Sequence, residues 1–133
     1  SVCREEMPHL EKRVWQRFKD RDFMLIGVDR DEPIEVVRRF AKETGVTYPM
    51  ALDPGSDLFA LFAKRDAGVT RNVVIDKTGK IVLLTRLFKE AEFQQMIRVI
   101  EELSGKLRQF FGDYVDPQYN LWCGGRSKAG RIT

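Results

Sequence analysis

The chain has 133 residues, of which 43% are hydrophobic and 32% are charged. This length and composition predict a single soluble α/β domain with one hydrophobic core. The 23 basic and 20 acidic residues are mixed along the sequence and give a net charge of +3, which argues against a nucleic-acid-binding protein. No run of about 18 apolar residues is present, so we expect no membrane span.

The cysteine and histidine content restricts the kinds of site that the chain can form. There are two cysteines, Cys3 and Cys123, and one histidine, His9. The cysteines are too far apart in sequence for a metal-binding motif, and one histidine adds a single ligand, so no metal site is predicted. Cys123 is interpreted as an incidental exposed thiol rather than as a partner for Cys3 or a cross-link between chains.

The first predicted element is an amphipathic helix from Cys3 to about Arg21. Pro8 removes one backbone N–H and is expected to bend this helix in its first turns. Cys3 lies at the N-terminal end, where free N–H groups and the helix dipole favour the reactive thiolate. Apolar residues recur at steps of three and four and define the core-facing side: Met7, Leu10, Val14 and Phe18.

A strand and a second helix follow. Residues 23–29 form a nearly continuous apolar run that ends in charge, which is typical of a parallel strand covered on both faces. Asp31 or Glu32, placed before Pro33, is expected to open the second helix, and Gly45 is expected to close it. The buried side of this helix is predicted to contain Ile34, Val37, Phe40 and Ala41.

The next segments are short. Residues 48–52 are predicted to be extended, and a turn at 53–56 leads into a predicted helix through 58–62. A β-hairpin follows, with strands at 70–76 and 81–87 joined by a loop that contains a glycine.

The last predicted helix runs from Glu90 to about Leu103 and carries Phe93, Met96, Ile97 and Ile100 on one face. The sequence after this helix keeps aromatic residues but has no clean period, and it ends in glycine and basic residues. We therefore expect one domain at 1–104 and a C-terminal extension at 105–133 that docks through its aromatic side chains.

Two stretches resemble a known family. Cys3-Arg4-Glu5-Glu6-Met7-Pro8-His9-Leu10 resembles the segment after the active site of the TlpA/ResA-like thiol-disulfide oxidoreductases in the thioredoxin superfamily. In that family the second cysteine of a Cys-x-x-Cys pair is followed five residues later by a helix proline. Gly68-Val69, leading into residues 73–82, resembles the family's strand, turn and strand. The likeness covers residues 1 to about 104.

The resemblance implies a thioredoxin-like fold and thiol-disulfide exchange with protein thiols and disulfides. It implies no metal and no organic cofactor, and it suggests a periplasmic or cell-envelope location. It also makes Cys3 the resolving cysteine, which closes a disulfide after a first cysteine has attacked the substrate.

One departure from the family concerns the start of the chain. The family's first cysteine would stand immediately before Ser1, so we expect the complete protein to carry it there and the 133-residue chain to be inactive or impaired. The strand that precedes the motif lies in the middle of the family's sheet. If the chain folds without it, the C-terminal extension, or a second copy in a homodimer or strand swap, is expected to fill the gap.

A second departure lies at the start of the hairpin. Thr70 stands where thioredoxin-like proteins usually have a cis-proline that faces the reactive cysteine, and it is expected to be trans because a non-proline cis bond is costly. Arg71 is one residue out of register with the arginine by which peroxiredoxins hold a thiolate and peroxide. A strand-edge charge paired with an acid is the favoured interpretation of Arg71, and an active-site role is the alternative.

Other polar residues near Cys3 have ordinary explanations. Glu5 and Glu6 lie in the first helical turn, where acidic residues are favoured, and proton transfer to the thiol is the less favoured interpretation. His9 is expected to face solvent or cap a neighbour. A peroxiredoxin-type peroxidase and a non-enzymatic thioredoxin-fold interaction module remain alternative functions for the chain.

Overall fold

The computed structural model describes residues 1–104, and the predicted extension at 105–133, with Cys123, lies outside the described residues. The helices are α1 (Val2–His9), α2 (Gln16–Phe18), α3 (Ile34–Thr44) and α4 (Glu90–Ser104), with a π-helical turn, Leu10–Trp15, between α1 and α2. The strands are β1 (Gly27–Arg30), β2 (Met50–Asp53), β3 (Arg71–Ile75) and β4 (Ile81–Arg86). The domain boundary near residue 104 stays a prediction.

The N-terminal helix, residues 2–18, consists of α1, the π turn and α2. Pro8 lies inside α1, and α-helical hydrogen bonding gives way to π geometry two residues later, at Leu10. A π turn contains more residues than an α turn, so it brings an additional side chain onto a given face. Glu11 and Trp15 are both buried in this turn. The helix ends about three residues earlier than predicted.

The hydrophobic core lies where the N-terminal helix packs against α4. Arg13 and Glu90 form an ion pair of 2.6 Å across this contact, and Arg17 pairs with Glu101 at 2.9 Å. Phe18 and Val14 have no exposed surface. The predicted core stripes of both helices are confirmed by the buried cluster, which consists of Met7, Leu10, Val14, Trp15, Phe18, Tyr48, Phe93, Met96, Ile97 and Ile100.

The four strands form two separate two-stranded sheets in residues 1–104. β1 and β2 are parallel, with Gly27 opposite Met50. β3 and β4 are antiparallel, with Arg71 opposite Arg86, and the register shifts once, between Val74 and Ile75. The hairpin is therefore confirmed, and it forms a sheet of its own.

The strand predicted at 23–29 differs from the one observed. Phe23 and Leu25 pack against the core, but the ladder with β2 starts only at Gly27. Ile26 and Val28 are 51% and 44% exposed. The prediction that this strand is covered on both faces is wrong for the described residues, because the face that carries Ile26 and Val28 is left partly open to solvent.

The helix predicted through 58–62 is also different, since two short 3₁₀ turns occupy this region. The carboxylate of Asp53 accepts hydrogen bonds from the N–H groups of Leu58 and Phe59, at 3.0 and 2.8 Å. Leu61 is 73% exposed. Apolar residues at helical spacing did not produce a helix here, because the segment is short and does not bury a complete face.

The remaining helices begin and end close to the predicted residues. Of the predicted buried side of α3, Val37 is buried, whereas Ile34, Phe40 and Ala41 are partly exposed. α3 ends at Gly45, whose φ of 72° is the left-handed conformation that glycine adopts readily. α4 follows its predicted bounds to within one residue. None of the helices within residues 1–104 is long and apolar enough to cross a membrane.

Candidate active site around Cys3

Cys3 is the second residue of α1, and its free thiol is partly exposed. Oγ of Ser1 caps the helix by accepting a hydrogen bond of 3.4 Å from the backbone N–H of Arg4. The guanidinium of Arg4 is turned toward α3, where it pairs with Glu43 at 3.1 Å. The first-turn N–H groups and the helix dipole therefore supply the positive potential at the thiol.

Thr70 lies directly against Cys3. The Thr70 Oγ1 and Cys3 Sγ atoms are 2.8 Å apart, although the residues are 67 positions apart in sequence. Every peptide bond within residues 1–104 is trans, including the one before Thr70. The φ angle of Thr70 is +40°, an unusual value for a β-branched residue. The start of the hairpin thus meets the N-terminus of α1 at the sulfur.

A buried polar layer lies one helical turn further along α1. Glu6 is only 4% exposed, and its Oε1 atom accepts a hydrogen bond of 2.7 Å from Nδ2 of Asn72 on β3. The same amide nitrogen donates to Oγ1 of Thr85 on β4, at 2.9 Å. Cys3 and Glu6 are three residues apart, so they lie on the same side of the helix.

Burial governs the electrostatics of this layer. It raises the pKa of Glu6 above the ordinary value of 4.5, and the hydrogen bond from Asn72 opposes the shift in part. Burial also raises the pKa of Tyr48, and negative charge on Glu11, Glu6 and Cys3 raises it further. The phenol of Tyr48 therefore stays protonated, whereas Glu6 can exchange a proton at a higher pH than an exposed glutamate.

Arg71 follows Thr70 in sequence but makes its contacts elsewhere. Its Nε donates a hydrogen bond of 3.2 Å to the carbonyl oxygen of Gly68. Its guanidinium carbon lies 6.0 Å from the ring centroid of Phe59. These contacts hold the Arg71 side chain against the segment before β3. An active-site role for Arg71 stays a prediction.

A shallow cavity of about 320 Å³ lies between α1 and α3, with Arg4, Phe40 and Glu43 in its wall. The guanidinium of Arg4 covers the ring of Phe40, at 4.9 Å from its centroid. Across residues 1–104, no three cysteine, histidine or carboxylate side chains come close enough to hold a metal ion.

The sequence did not single out Asn72, Thr85 or Tyr48. Asn72 and Thr85 are a cross-strand pair, and each is a polar residue at the end of an apolar strand run. The predicted hairpin register could have brought them together. His9 also differs from expectation, because its ring is partly buried and stacks on Phe88, with 4.8 Å between centroids.

Comparison with known proteins gives the family. The family model for the AhpC/TSA family matches residues 1–84. A thiol-disulfide oxidoreductase ResA from Halalkalibacterium halodurans is 29% identical over 101 residues, which make up 76% of this chain and 54% of that protein. A ResA from Bacillus anthracis is 28% identical over 80 residues, covering 60% of this chain and 44% of that protein. The chain thus spans about half the length of these curated relatives.

Solved structures give the fold. The solution structure of a candidate protein disulfide isomerase from Bacteroides thetaiotaomicron is 59% identical, has a TM-score of 0.76 and covers 80% of this chain and 67% of that one. A Chlorobium tepidum protein described as a candidate thiol:disulfide interchange protein DsbE is 21% identical, with a TM-score of 0.63 over 75% of this chain and 71% of that one. The predicted thioredoxin-like fold is confirmed. The chain belongs to the AhpC/TSA family and is a TlpA/ResA-like protein of the thioredoxin superfamily.

Proposed function

We propose that the protein is a thiol-disulfide oxidoreductase that reduces disulfides in other proteins, with Cys3 as its resolving cysteine. The observation that carries this proposal is the 2.8 Å contact between Cys3 Sγ and Thr70 Oγ1. It places the thiol at the N-terminus of α1 and against the start of the hairpin, where the resemblance puts the reactive cysteines. Membership of the family supports the class of chemistry.

The reaction requires a second thiol, which we assign to a cysteine immediately before Ser1 in the complete protein, called the extended chain below. Its thiolate attacks a substrate disulfide and forms a mixed disulfide, while the first substrate thiolate leaves. Cys3 then attacks the sulfur of the upstream cysteine, and the second substrate thiolate is released. The substrate gains two electrons, and the enzyme dithiol becomes a disulfide. The 133-residue chain alone is expected to reduce insulin negligibly.

Three features of Glu6 support a role as the proton acceptor for Cys3. It lies one turn below Cys3 on the same side of α1, is buried, and is held by Asn72. Because burial raises its pKa above the ordinary value, Glu6 can take up a proton more readily than an exposed carboxylate. We propose that the Cys3 proton passes to Glu6 before the resolving attack.

The relatives are named as oxidoreductases, and we propose protein thiols as partners in the periplasm or cell envelope. Cys3→Ser in the extended chain should allow the first attack but prevent resolution, because serine cannot close the disulfide. We expect mixed disulfides with envelope proteins to accumulate and multiple turnover of insulin to stop. Non-reducing electrophoresis and mass spectrometry of the trapped proteins measure both outcomes.

A matched control for this experiment is the same variant with the upstream cysteine also replaced by serine, which should trap nothing. Trapped partners that are cytosolic would contradict the proposed location. Full insulin turnover by Cys3→Ser would contradict the resolving role. A residue other than cysteine before Ser1 would instead favour the non-enzymatic interaction module.

The raised pKa of Glu6 predicts a pH dependence of stability. The folded protein binds this proton more tightly than the unfolded chain, so its stability falls as the pH rises from about 4.5 through the folded pKa. Glu6→Gln keeps the acceptor for Asn72 but cannot ionise. It should therefore exceed the wild type in stability at neutral pH and lose this advantage in acid. Urea unfolding at a series of pH values measures the difference.

Glu5→Gln provides the control, because Glu5 is the exposed neighbour of Glu6 in the same helical turn. It should gain no stability over the wild type at neutral pH, because an exposed carboxylate is favoured in the first helical turn. If Glu6→Gln likewise gains no stability at neutral pH, the buried carboxylate does not carry the proposed proton equilibrium.

The two sheets leave open strand edges on β1 and β3 within residues 1–104. Apolar side chains near these edges are half-exposed, among them Val28 at 44% and Ile75 at 51%. Unpaired edges of this kind bind further strands. We propose that the strand before Ser1 occupies the gap in the extended chain, and that a second copy occupies it when the 133-residue chain is isolated.

Sedimentation equilibrium tests this arrangement. The 133-residue chain should sediment as a dimer that dissociates on dilution, and the extended chain should sediment as a monomer because its own strand fills the gap. If the 133-residue chain is monomeric at every concentration, the proposal that a second copy fills the gap is contradicted. A dimeric extended chain would contradict the assignment of the gap to its own strand.

A further inference from the structure

We propose that the Thr70 hydroxyl is a catalytic hydrogen-bond donor that stabilises Cys3 as a thiolate during the resolving step. This role rests on the proposed function, since it concerns how the same cysteine becomes reactive. Thr70 touches the reacting atom itself, through the 2.8 Å contact between its Oγ1 and Cys3 Sγ.

The direction of the hydrogen bond follows from the protonation state of the sulfur. In the neutral pair, either atom can donate. A thiolate has no proton, so the Thr70 hydroxyl must be the donor when Cys3 is ionised. A hydrogen bond to a charged acceptor is about twice as strong as a neutral one, so the contact favours the ionised sulfur. The dipole of α1 also favours the ionised form of the Cys3 sulfur.

The backbone supports a specific role for this side chain. Thr70 has φ of +40°, in the left-handed region that β-branched residues rarely adopt. Its carbonyl oxygen accepts a hydrogen bond of 2.9 Å from the N–H of Leu87, which fixes Thr70 at the open end of the hairpin, where β3 begins and β4 ends. Strained conformations of this kind persist where the surrounding structure enforces them, and they are frequent in active sites.

The identity of the residue matters because the thioredoxin-like family that the chain resembles usually has proline at this position. Proline has no hydroxyl, so it cannot donate a hydrogen bond from its side chain. In this chain the position therefore supplies a donor to the resolving sulfur. Threonine in place of proline therefore adds a polar contact to Cys3.

The step balances without another reactant. The Cys3 thiolate attacks the upstream cysteine, a sulfur–sulfur bond forms between them, and the bond to the substrate breaks. The electron pair of the broken bond leaves with the substrate thiolate. The Thr70 hydroxyl keeps its proton throughout and releases the hydrogen bond as the charge on Cys3 disappears.

Thr70→Val removes the hydroxyl but keeps the branched shape, and Thr70→Ser keeps the hydroxyl. Loss of a hydrogen bond to a charged group corresponds to about a tenfold change in an equilibrium constant, here the ionised fraction of Cys3. Each remaining thiolate becomes about threefold more nucleophilic as its basicity rises. Valine should therefore slow alkylation about threefold in acid and accelerate it about threefold at the alkaline plateau.

The test is the rate of alkylation of Cys3 by iodoacetamide across a pH series in the 133-residue chain. Mass spectrometry of the Cys3 peptide separates its reaction from that of Cys123. The proposal predicts that the plots of alkylation rate against pH for Thr70→Val and for the wild type cross. The plot for Thr70→Ser should coincide with that of the wild type. Superposed valine and wild-type profiles, or a serine profile displaced as far as that of valine, would overturn it.

The titratable groups of residues 1–104 near this site include Glu6, on the same side of the helix as Cys3, and Tyr48 before β2, which interacts electrostatically with both Cys3 and Glu6. The comparison of valine with wild type is therefore repeated in a Glu6→Gln background, where the crossing should persist. Tyr48 stays neutral over the range used, since its pKa is raised. Disappearance of the crossing in that background would assign the effect to Glu6 and overturn the role of Thr70.

Thr70→Gly is the second variant if valine prevents folding. Glycine tolerates the positive φ and also lacks the hydroxyl, so it should reproduce the crossing in a folded protein. Alkylation needs no upstream cysteine and no turnover. If the alkylation profiles cross but the extended chain does not reduce insulin, the proposed function alone is contradicted. If the extended chain reduces insulin but the alkylation profiles do not cross, only the role of Thr70 is contradicted.

Discussion

The N-terminal helix meets the β3–β4 hairpin through two side chains placed three residues apart, Cys3 and Glu6. Cys3 contacts Thr70 at the mouth of the hairpin, and Glu6 accepts a hydrogen bond from Asn72 one turn below. Behind them, the helix is fixed by its apolar side against α4. The position of the thiol therefore depends on a helix that is packed on one side and hydrogen-bonded on the other.

Burying the Glu6 carboxylate is unfavourable for stability, because the charge loses water and gains one amide donor in return. Thr85 also accepts a hydrogen bond from that amide, which fixes its orientation toward the helix. A residue that destabilises the fold and shares a helical face with a reactive cysteine is typical of a functional site. The same layer holds the first turns of the helix against the hairpin through Glu6 and Asn72, and Glu6 is the proton acceptor that we propose for Cys3.

Much of the fold followed from the sequence because its signals are local. The spacing of Met7 and Phe18 on one helix face, the glycine at position 45 and the hairpin all depend on near neighbours. The strand at 23–29 was misjudged because the burial of its two faces depends on what packs over them, and the pattern of Ile26 and Val28 does not contain that information.

The residues of the candidate site also fall into those that the sequence predicts and those that it does not. Cys3 and Thr70 could be predicted as site residues because a motif spacing and a position before the hairpin mark them, and the structure brings their side chains into contact. Asn72 and Thr85 were missed because each is an ordinary polar residue until the hairpin register sets them opposite each other and under Glu6. Burial of a carboxylate is a property of the assembled helix and hairpin, and no short stretch of sequence encodes it.

The account depends most on Cys3 being the second member of a redox pair. Mass-spectrometric mapping of the disulfide in the oxidised extended chain tests this directly. We predict a bond between Cys3 and a cysteine immediately before Ser1, which dithiothreitol reverses. A Cys3 that remains free to alkylation after oxidation, or that is bonded to Cys123 instead, would contradict it.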